Sequence, residues 1–451
     1  MVESSNIPAM KSRQPTGRFG FNVIGFVSAN LGLGITARNI VHLLISHGVP
    51  TAVFDLDPGK DRAKYDLSFE CYAVRTLNEL PYSINLFILP PTDLAAFISE
   101  GFNFDFGRAG RLDFAYVIWE LQVFPTRCLP VLKLFDGLLA GSDFVRHALE
   151  STFPDALTIS APEPVRLPDD ITASRENWGL PKDAVIFVSS FDPLNDFARK
   201  NPYATVSAFR QALDDNPQAY LLFKMNCNGK VHPLVDSLKK MTAGHPRILF
   251  NTDTLSYAEV LSLYASCDVF VSLHRAEGLG LGLMEAMALD KPVIATAWSG
   301  NMNYMNYSNS CLVPYEMTPV QAGNAGYQPA SLGVQASWAE PNIEQAAAWM
   351  RRLASDPELR KTIGERAGVS IREYQQRAEQ GTFIEELRMI WEQIDVFSAH
   401  KTNIKPNVNV IRAALQDYNL SPLKRTVRRA RRAMDRHLLW RFNKQDSILT
   451  H

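Results

Sequence analysis

Two kinds of hydrophobic pattern alternate along this chain, and the alternation runs through it twice. Short unbroken apolar runs, rich in β-branched and aromatic residues, read as strands covered on both faces, whereas apolar residues three and four apart read as amphipathic helices. Residues 19–27 form the first run. The turn at 28–34, helical spacing at Ile35, Ile40, Val41 and Leu44, a closing Gly48 and a second run at 49–56 complete a β–α–β unit. Further strands are expected at 84–89, 114–119 and 137–142, with helical stretches between them.

The Pro-rich segment 161–170 interrupts the pattern as a linker. A second series then begins. Strands are expected at 184–191, 219–225, 247–251, 268–273 and 292–296, and helices at 203–214, 233–243, 257–266 and 283–289. Strands alternating with helices in both halves predict two doubly wound parallel sheets, an α/β fold, with ligand in a cleft at the carboxyl ends of the strands. Helices at 343–354 and 382–397 follow. The expected division is a disordered leader (1–19), a first Rossmann-like domain (20–165), a second (166–370), a helix returning to the first (371–398) and a basic tail (399–451).

Composition agrees with a globular protein of two domains: 451 residues, 46% hydrophobic and 21% charged. Lys+Arg (46) and Asp+Glu (47) nearly cancel, which excludes a polycationic nucleic-acid binder as the whole molecule. The exception is 423–444, with nine Lys/Arg and a single acid, Asp435. This basic segment, ending in Leu438, Leu439, Trp440 and Phe442, suits an anionic membrane surface. A solvated or intramolecular helix is the bland reading, and nucleic acid is the least favoured partner. Five isolated cysteines (Cys71, Cys128, Cys227, Cys267 and Cys311) fit a reducing compartment rather than a disulfide framework. No apolar block marks a secretory signal or a membrane span. The expected location is cytoplasmic, peripheral to the inner face of the membrane if the basic segment binds it.

The chemistry concentrates in residues 274–301. A strand end leads to Glu277, three glycines (Gly278, Gly280 and Gly282) and Glu285, then a helix and a strand. Glycines let a ligand approach the backbone, helix-start N–H groups attract anions, and carboxylates accept hydrogen bonds from vicinal hydroxyls. The stretch 277–296 resembles the E-x7-E signature of the retaining glycosyltransferases called family 4, whose fold is GT-B. The resemblance extends over about 20–398.

The resemblance implies that Glu277 contacts the donor hexose and that Glu285 binds the nucleotide ribose. The loop residues Gly278, Leu279, Gly280, Leu281, Gly282 and Leu283 would face the sugar and diphosphate. Arg199, Lys200 and Lys224 would supply cations for the diphosphate, although the family's usual Arg near the strand end is Asp192 here. Gly32 and Gly34 would approach the donor phosphate from the first domain, where Arg38 faces either the cleft or solvent. Trp119 and Glu120 stand where the family often has a His. With Ser142 and Arg146 they are candidates for the sugar and acceptor pocket, against a reading in which Trp119 is core and Glu120 merely exposed.

Asp55 and Asp57 spell a DxD, but at a strand end in a doubly wound half they do not predict a metal, and no His/Cys cluster has zinc spacing. The implied activity is metal-independent, retaining transfer of a hexose from a nucleotide sugar, as co-substrate, to a glycan or lipid-linked acceptor in cell-surface polysaccharide synthesis. No other cofactor is expected. Two other readings fit the same residues: a catalytically silent sugar- or nucleotide-binding scaffold, and another GT-B-like enzyme such as a nucleotide-sugar epimerase.

Overall fold

The computed structural model describes residues 17–393, apart from 58–65, 100–103, 105, 109, 194–196, 228–231, 321–326 and 328–331. Most of the expected leader and the whole tail, including the basic segment 424–444, lie outside the described residues.

The first sheet comprises β1 (Phe21–Gly25), β2 (Thr51–Asp55), β3 (Ile84–Leu89), β4 (Leu112–Val117), β5 (Gly137–Ala140) and β6 (Thr158–Ser160), all parallel, in the order β2-β1-β3-β4-β5-β6. Its helices are α1 (Gly32–Ser46), α2 (Pro91–Ser99), α3 (Leu129–Leu132) and α4 (Asp143–Thr152), the last capped by the Ser142 side chain on the Val145 N–H. β1, β3, β4 and β5 are buried at every position. Strands covered on both faces need no polar alternation, which is why they show up in the sequence as unbroken apolar runs.

The second sheet comprises β7 (Val185–Phe191), β8 (Ala219–Met225), β9 (Ile248–Asn251), β10 (Val269–Ser272), β11 (Val293–Thr296) and β12 (Cys311–Val313), again all parallel, in the order β12-β11-β10-β7-β8-β9. Its helices are α5 (Phe197–Lys200), α6 (Pro202–Leu213), α7 (Pro233–Met241), α8 (Tyr257–Ser266) and α9 (Leu281–Ala288). The chain winds outward one way from β7 and the other way from β10. The crevice between their carboxyl ends is therefore the switch point where ligands of such folds bind.

One feature goes beyond the sequence pattern. An antiparallel hairpin, β13 (Tyr315–Pro319) and β14 (Ser337–Pro341), leaves the second domain. It carries Val320, Leu332 and Trp338 into the core of the first, beside Trp119, Phe124 and Leu121. Burying a side chain as large as Trp338 there contributes on the order of 2–3 kcal/mol to holding the domains together. After it come α10 (Ile343–Ser355), α11 (Pro357–Ala378) and α12 (Thr382–Glu392). Ala367, Ile371 and Tyr374 of α11 pack in the second domain with Met284 and Met287, whereas Phe383, Ile384 and Leu387 of α12 pack in the first with Phe21, Ile40 and Leu43. The chain thus crosses between the domains at 161–184 and returns between α11 and α12.

Candidate functional site

The crevice is built from the residues that follow β7 and β10. Beyond β7 the chain turns into α5, which presents Arg199 and Lys200; beyond β10 it runs through His274 and Glu277 into a glycine loop and α9. Glu277 is 7% exposed. One carboxylate oxygen, Oε1, accepts a hydrogen bond from Lys200 Nζ, and Oε2 lies 3.2 Å from Arg199 Nη1. Burial opposes ionisation of this carboxyl, but Lys200 and Arg199 outweigh it and hold its pKa at about 2. Glu277 is therefore an anion at neutral pH.

Arg199 is buried against the acids of the site. Its side chain is 3% exposed and spans the domains: Nη1 also donates to Ala276 O at 2.7 Å, and Nη2 lies 3.4 Å from Glu120 Oε1 of the first domain. Paired with Glu277 and Glu120, it braces the first of them across the domains. Lys200, with 21% of its side chain exposed, is the cation that faces open space. Lys224 is turned toward main-chain carbonyls. Its buried ammonium donates to Asp253 O at 2.8 Å and Met225 O at 3.3 Å, and burial lowers its pKa to about 8. It braces the loop after β9.

The loop itself is held from behind. Gly278 O accepts the Ser142 hydroxyl at 2.5 Å, and Tyr304 donates to Leu279 O (2.8 Å) and Gly280 O (2.9 Å). In a trans peptide the N–H points opposite to the C=O, so the amides of Leu279, Gly280 and Leu281 are turned away from those partners. Gly280 has φ 89°, a conformation open to glycine, and this is what starts α9 at Leu281 rather than at Leu283. The N–H groups of Leu281 and Gly282 then have no partner within the helix, and the helix end carries partial positive charge. Leu283, by contrast, is buried in the core of the second domain.

Glu285, one turn into α9, is 4% exposed, and a side chain at Gly282 would start 4.0 Å from Glu285 Oε2, so the carboxyl folds back toward the loop. Burial raises its pKa to about 7, partly offset by a hydrogen bond from Tyr257. Glu163, in the segment read as a linker, is 1% exposed and faces the same space; burial raises it to about 7 as well, against hydrogen bonds from Asn39 and Thr36.

The first domain meets this assembly through its own strand ends. Gly32 sits opposite Leu281, and Gly34 is buried in the first turn of α1. Arg38 faces neither cleft nor solvent. It is buried, donating to Val27 O (2.7 Å) and Ala29 O (3.0 Å) and pairing with Asp66, so that it shapes the loop after β1. From that loop Asn30 reaches across to Leu255 O at 2.8 Å.

β4 ends at Val117, two residues sooner than expected, which leaves Trp119 beyond the strand. The indole is nonetheless core: it is 3% exposed, stacks on Phe124 and Tyr327, and donates to Val123 O. It offers no open face to a sugar. Glu120 does reach the site, between Arg199 and the Tyr327 hydroxyl. Ser142 crosses to Gly278, as above. Arg146 is not brought in; the spacing of α4 pairs it with Asp143 and Glu150 on the surface. Asp55 of the DxD accepts the Ser28 N–H at 2.9 Å, and no group of three His, Cys, Asp or Glu among the described residues is placed to hold a metal ion.

Sequence reasoning missed four contributors: Glu163, Ser299, Tyr257 and His274. Glu163 was hidden by its prolines. His274 is wholly buried between Ser272, Asn301 and Trp298 O, and burial lowers its pKa.

Comparisons with known proteins bear on the fold and on the second domain. The family described as Glycosyl transferases group 1 matches residues 182–322, the part of the chain that carries Lys200, Glu277 and Glu285. The sulfoquinovosyl transferase of Arabidopsis thaliana is 27% identical over 174 residues, 39% of this chain and 29% of that protein, so the match spans less than a third of the relative. Among solved structures, a sucrose-phosphate synthase from Thermosynechococcus elongatus superposes with TM-score 0.58 at 17% identity, covering 84% of this chain and all of the other. An Anabaena protein solved with UDP and glucose gives 0.55 at 15%, covering 82% and 100%. A glycosyltransferase from Rickettsia africae gives 0.57 at 14%, covering 84% and 98%. No helix among the described residues is long and apolar enough to cross a membrane.

Proposed function

We propose that this chain, a GT-B fold whose second domain is that of a group 1 glycosyl transferase, moves a hexose from a nucleotide sugar to a glycan or lipid-linked acceptor with retention of anomeric configuration. The observation that carries the reading is the bracketing of one glycine loop by two buried glutamates at the β7/β10 switch point, with a partly exposed lysine on the first of them.

Each part of a nucleotide sugar finds a matching group. The ionised Glu277 accepts hydrogen bonds from hexose hydroxyls. Lys200 and the outward amides of Leu279 to Gly282 stabilise charge on the departing diphosphate. Glu285 and Tyr257, at the far end of the loop, take the ribose hydroxyls. The cationic and amide groups already present supply the charge stabilisation that a metal would otherwise provide, so the transfer runs without one. Glu120 and the loops of the first domain line the acceptor side. The preference for a lipid-linked acceptor, a cytoplasmic membrane surface and polysaccharide synthesis rests on the sequence of the basic segment 424–444.

The test is nucleoside diphosphate release by the full chain over a panel of nucleotide sugars, headed by UDP-glucose because a structure of the same fold holds UDP and glucose. Expected is release with one donor, unchanged by EDTA, with an axial product linkage from an α-linked donor by NMR. Absence of both release and thermal stabilisation across the panel would leave the silent scaffold as the better reading.

A further inference from the structure

We propose that Ser299 is a positioning residue for Glu277, kept in a backbone conformation that serine avoids because its hydroxyl is needed there. Three non-glycine residues among those described have positive φ: Asn201 (52°), Asp290 (53°) and Ser299 (81°). Asn and Asp enter the left-handed helical region readily, since a short polar side chain bonds locally. Ser299 does not belong with them. Its ψ of −149° places it in territory that is essentially glycine's, and it does so while 6% exposed.

The surrounding contacts show what that conformation achieves. Ser299 Oγ accepts the N–H of Glu277 at 2.7 Å and donates to Trp298 O. The next residue, Gly300, donates its N–H to Glu277 O at 2.9 Å. Two consecutive residues therefore hold both main-chain groups of Glu277. Their approach is as close as it can be, because a Cβ on Gly300 would lie 2.0 Å from Gly278 O. Asn301 anchors the turn from the other side, donating to Thr296 O at 3.0 Å with its Oδ1 3.2 Å from His274 Nε2.

A glycine at 299 would adopt this backbone without strain and would lack the hydroxyl. The strain is thus tied to the hydroxyl, and the hydroxyl links the Glu277 N–H to the Trp298 carbonyl beside it. With its side chain fixed by Lys200 and Arg199 and its main chain by Ser299 and Gly300, Glu277 cannot swing when a sugar arrives. That is the property a group needs if its hydrogen bonds are to orient a hexose.

The inference rests on the reading that Glu277 contacts the donor hexose, and the test separates the two. Ser299→Gly, Ser299→Ala and Glu277→Gln are compared with wild type in the full chain. The donor is UDP-glucose or whichever nucleotide sugar the panel identifies, and the readouts are kcat, donor KM, nucleoside diphosphate affinity and thermal midpoint. Ser299→Gly is expected to keep or raise the midpoint and to keep nucleoside diphosphate affinity within about twofold, while kcat falls about tenfold, the equivalent of one hydrogen bond in the transition state. Ser299→Ala, which keeps the strain, should show the same loss of kcat with a lower midpoint. A wild-type kcat in Ser299→Gly overturns the positioning role, and a lowered midpoint there overturns the strain argument. If Glu277→Gln itself turns over normally, the assignment of Glu277 has failed and not that of Ser299.

Discussion

Glu277 and Glu285 lie at the two ends of one loop, are nearly equally buried, and are driven in opposite directions. The first is held down at about 2 and the second is pushed up to about 7. Burial acts the same way on both, disfavouring the charged form. What differs is the company: two cations touch Glu277, whereas Glu285 has a tyrosine hydroxyl and, across the same space, a second raised acid in Glu163. One end of the loop is thus an ion network and the other a polar pocket whose acids are shifted toward the neutral form. A nucleotide sugar has the same asymmetry, with an anionic diphosphate near the hexose and a neutral ribose beyond it.

Removing the charge at the first end should have the largest effect. In Glu277→Gln, Arg199 and Lys200 lose their shared counter-charge in a buried setting. Unfolding free energy should drop by about 3 kcal/mol, as for other broken buried pairs. Turnover should fall by about a hundredfold or more. Urea titration and donor turnover measure the two losses. A variant as stable as wild type would mean that the cations are solvated and the contrast with Glu285 is superficial.

The contrast is sharpened by pH. Glu277 has a folded pKa below the ordinary 4.5, so its stabilisation is present above 4.5 and is lost as pH falls toward 2. Glu285 has a folded pKa above 4.5, so between about 4.5 and 7 the folded state holds a proton that the unfolded chain has released; stability is greatest below that window and declines through it. Thermal midpoints from pH 2 to 8 should therefore show an acid rise that Glu277→Gln removes. They should also show a decline toward neutrality that Glu285→Gln reduces, leaving the share contributed by Glu163. A Glu285→Gln curve parallel to wild type between pH 5 and 8 would show that Glu285 is not raised.

The smallest effect is expected outside the loop. Arg146→Ala removes only surface pairs with Asp143 and Glu150, so it should change stability by less than about 0.5 kcal/mol and leave donor turnover as it was. A loss of turnover would return Arg146 to the acceptor pocket.

The two glutamates were legible in the sequence because loop, glycines and helix are contiguous there, and local order alone puts them on one side of one helix start. Lys200 was legible for the same reason, one strand earlier. Arg199 was found, but its brace to Glu120 was not, because that pair joins residues 79 positions apart in different domains. Trp119 could be read as core or as a binding face, because its polar neighbour and strand-end position suit the second; Tyr327, which stacks on it, is 208 residues away in the chain. Glu163 escaped notice because prolines on both sides mark a linker, and nothing local says that the linker is buried.

By itself the sequence determined the alternation of strands and helices, the two parallel sheets and the glycine loop between the two glutamates. All of these follow from hydrophobic period and from residues close together in the chain. The tertiary structure decided protonation, engagement and strain: which glutamate is charged, which cation remains open, and why a serine occupies glycine's conformation. Those depend on burial and on contacts across domains, and the free energy of a charge or a hydrogen bond is set by what surrounds it in space rather than by what precedes it in the chain.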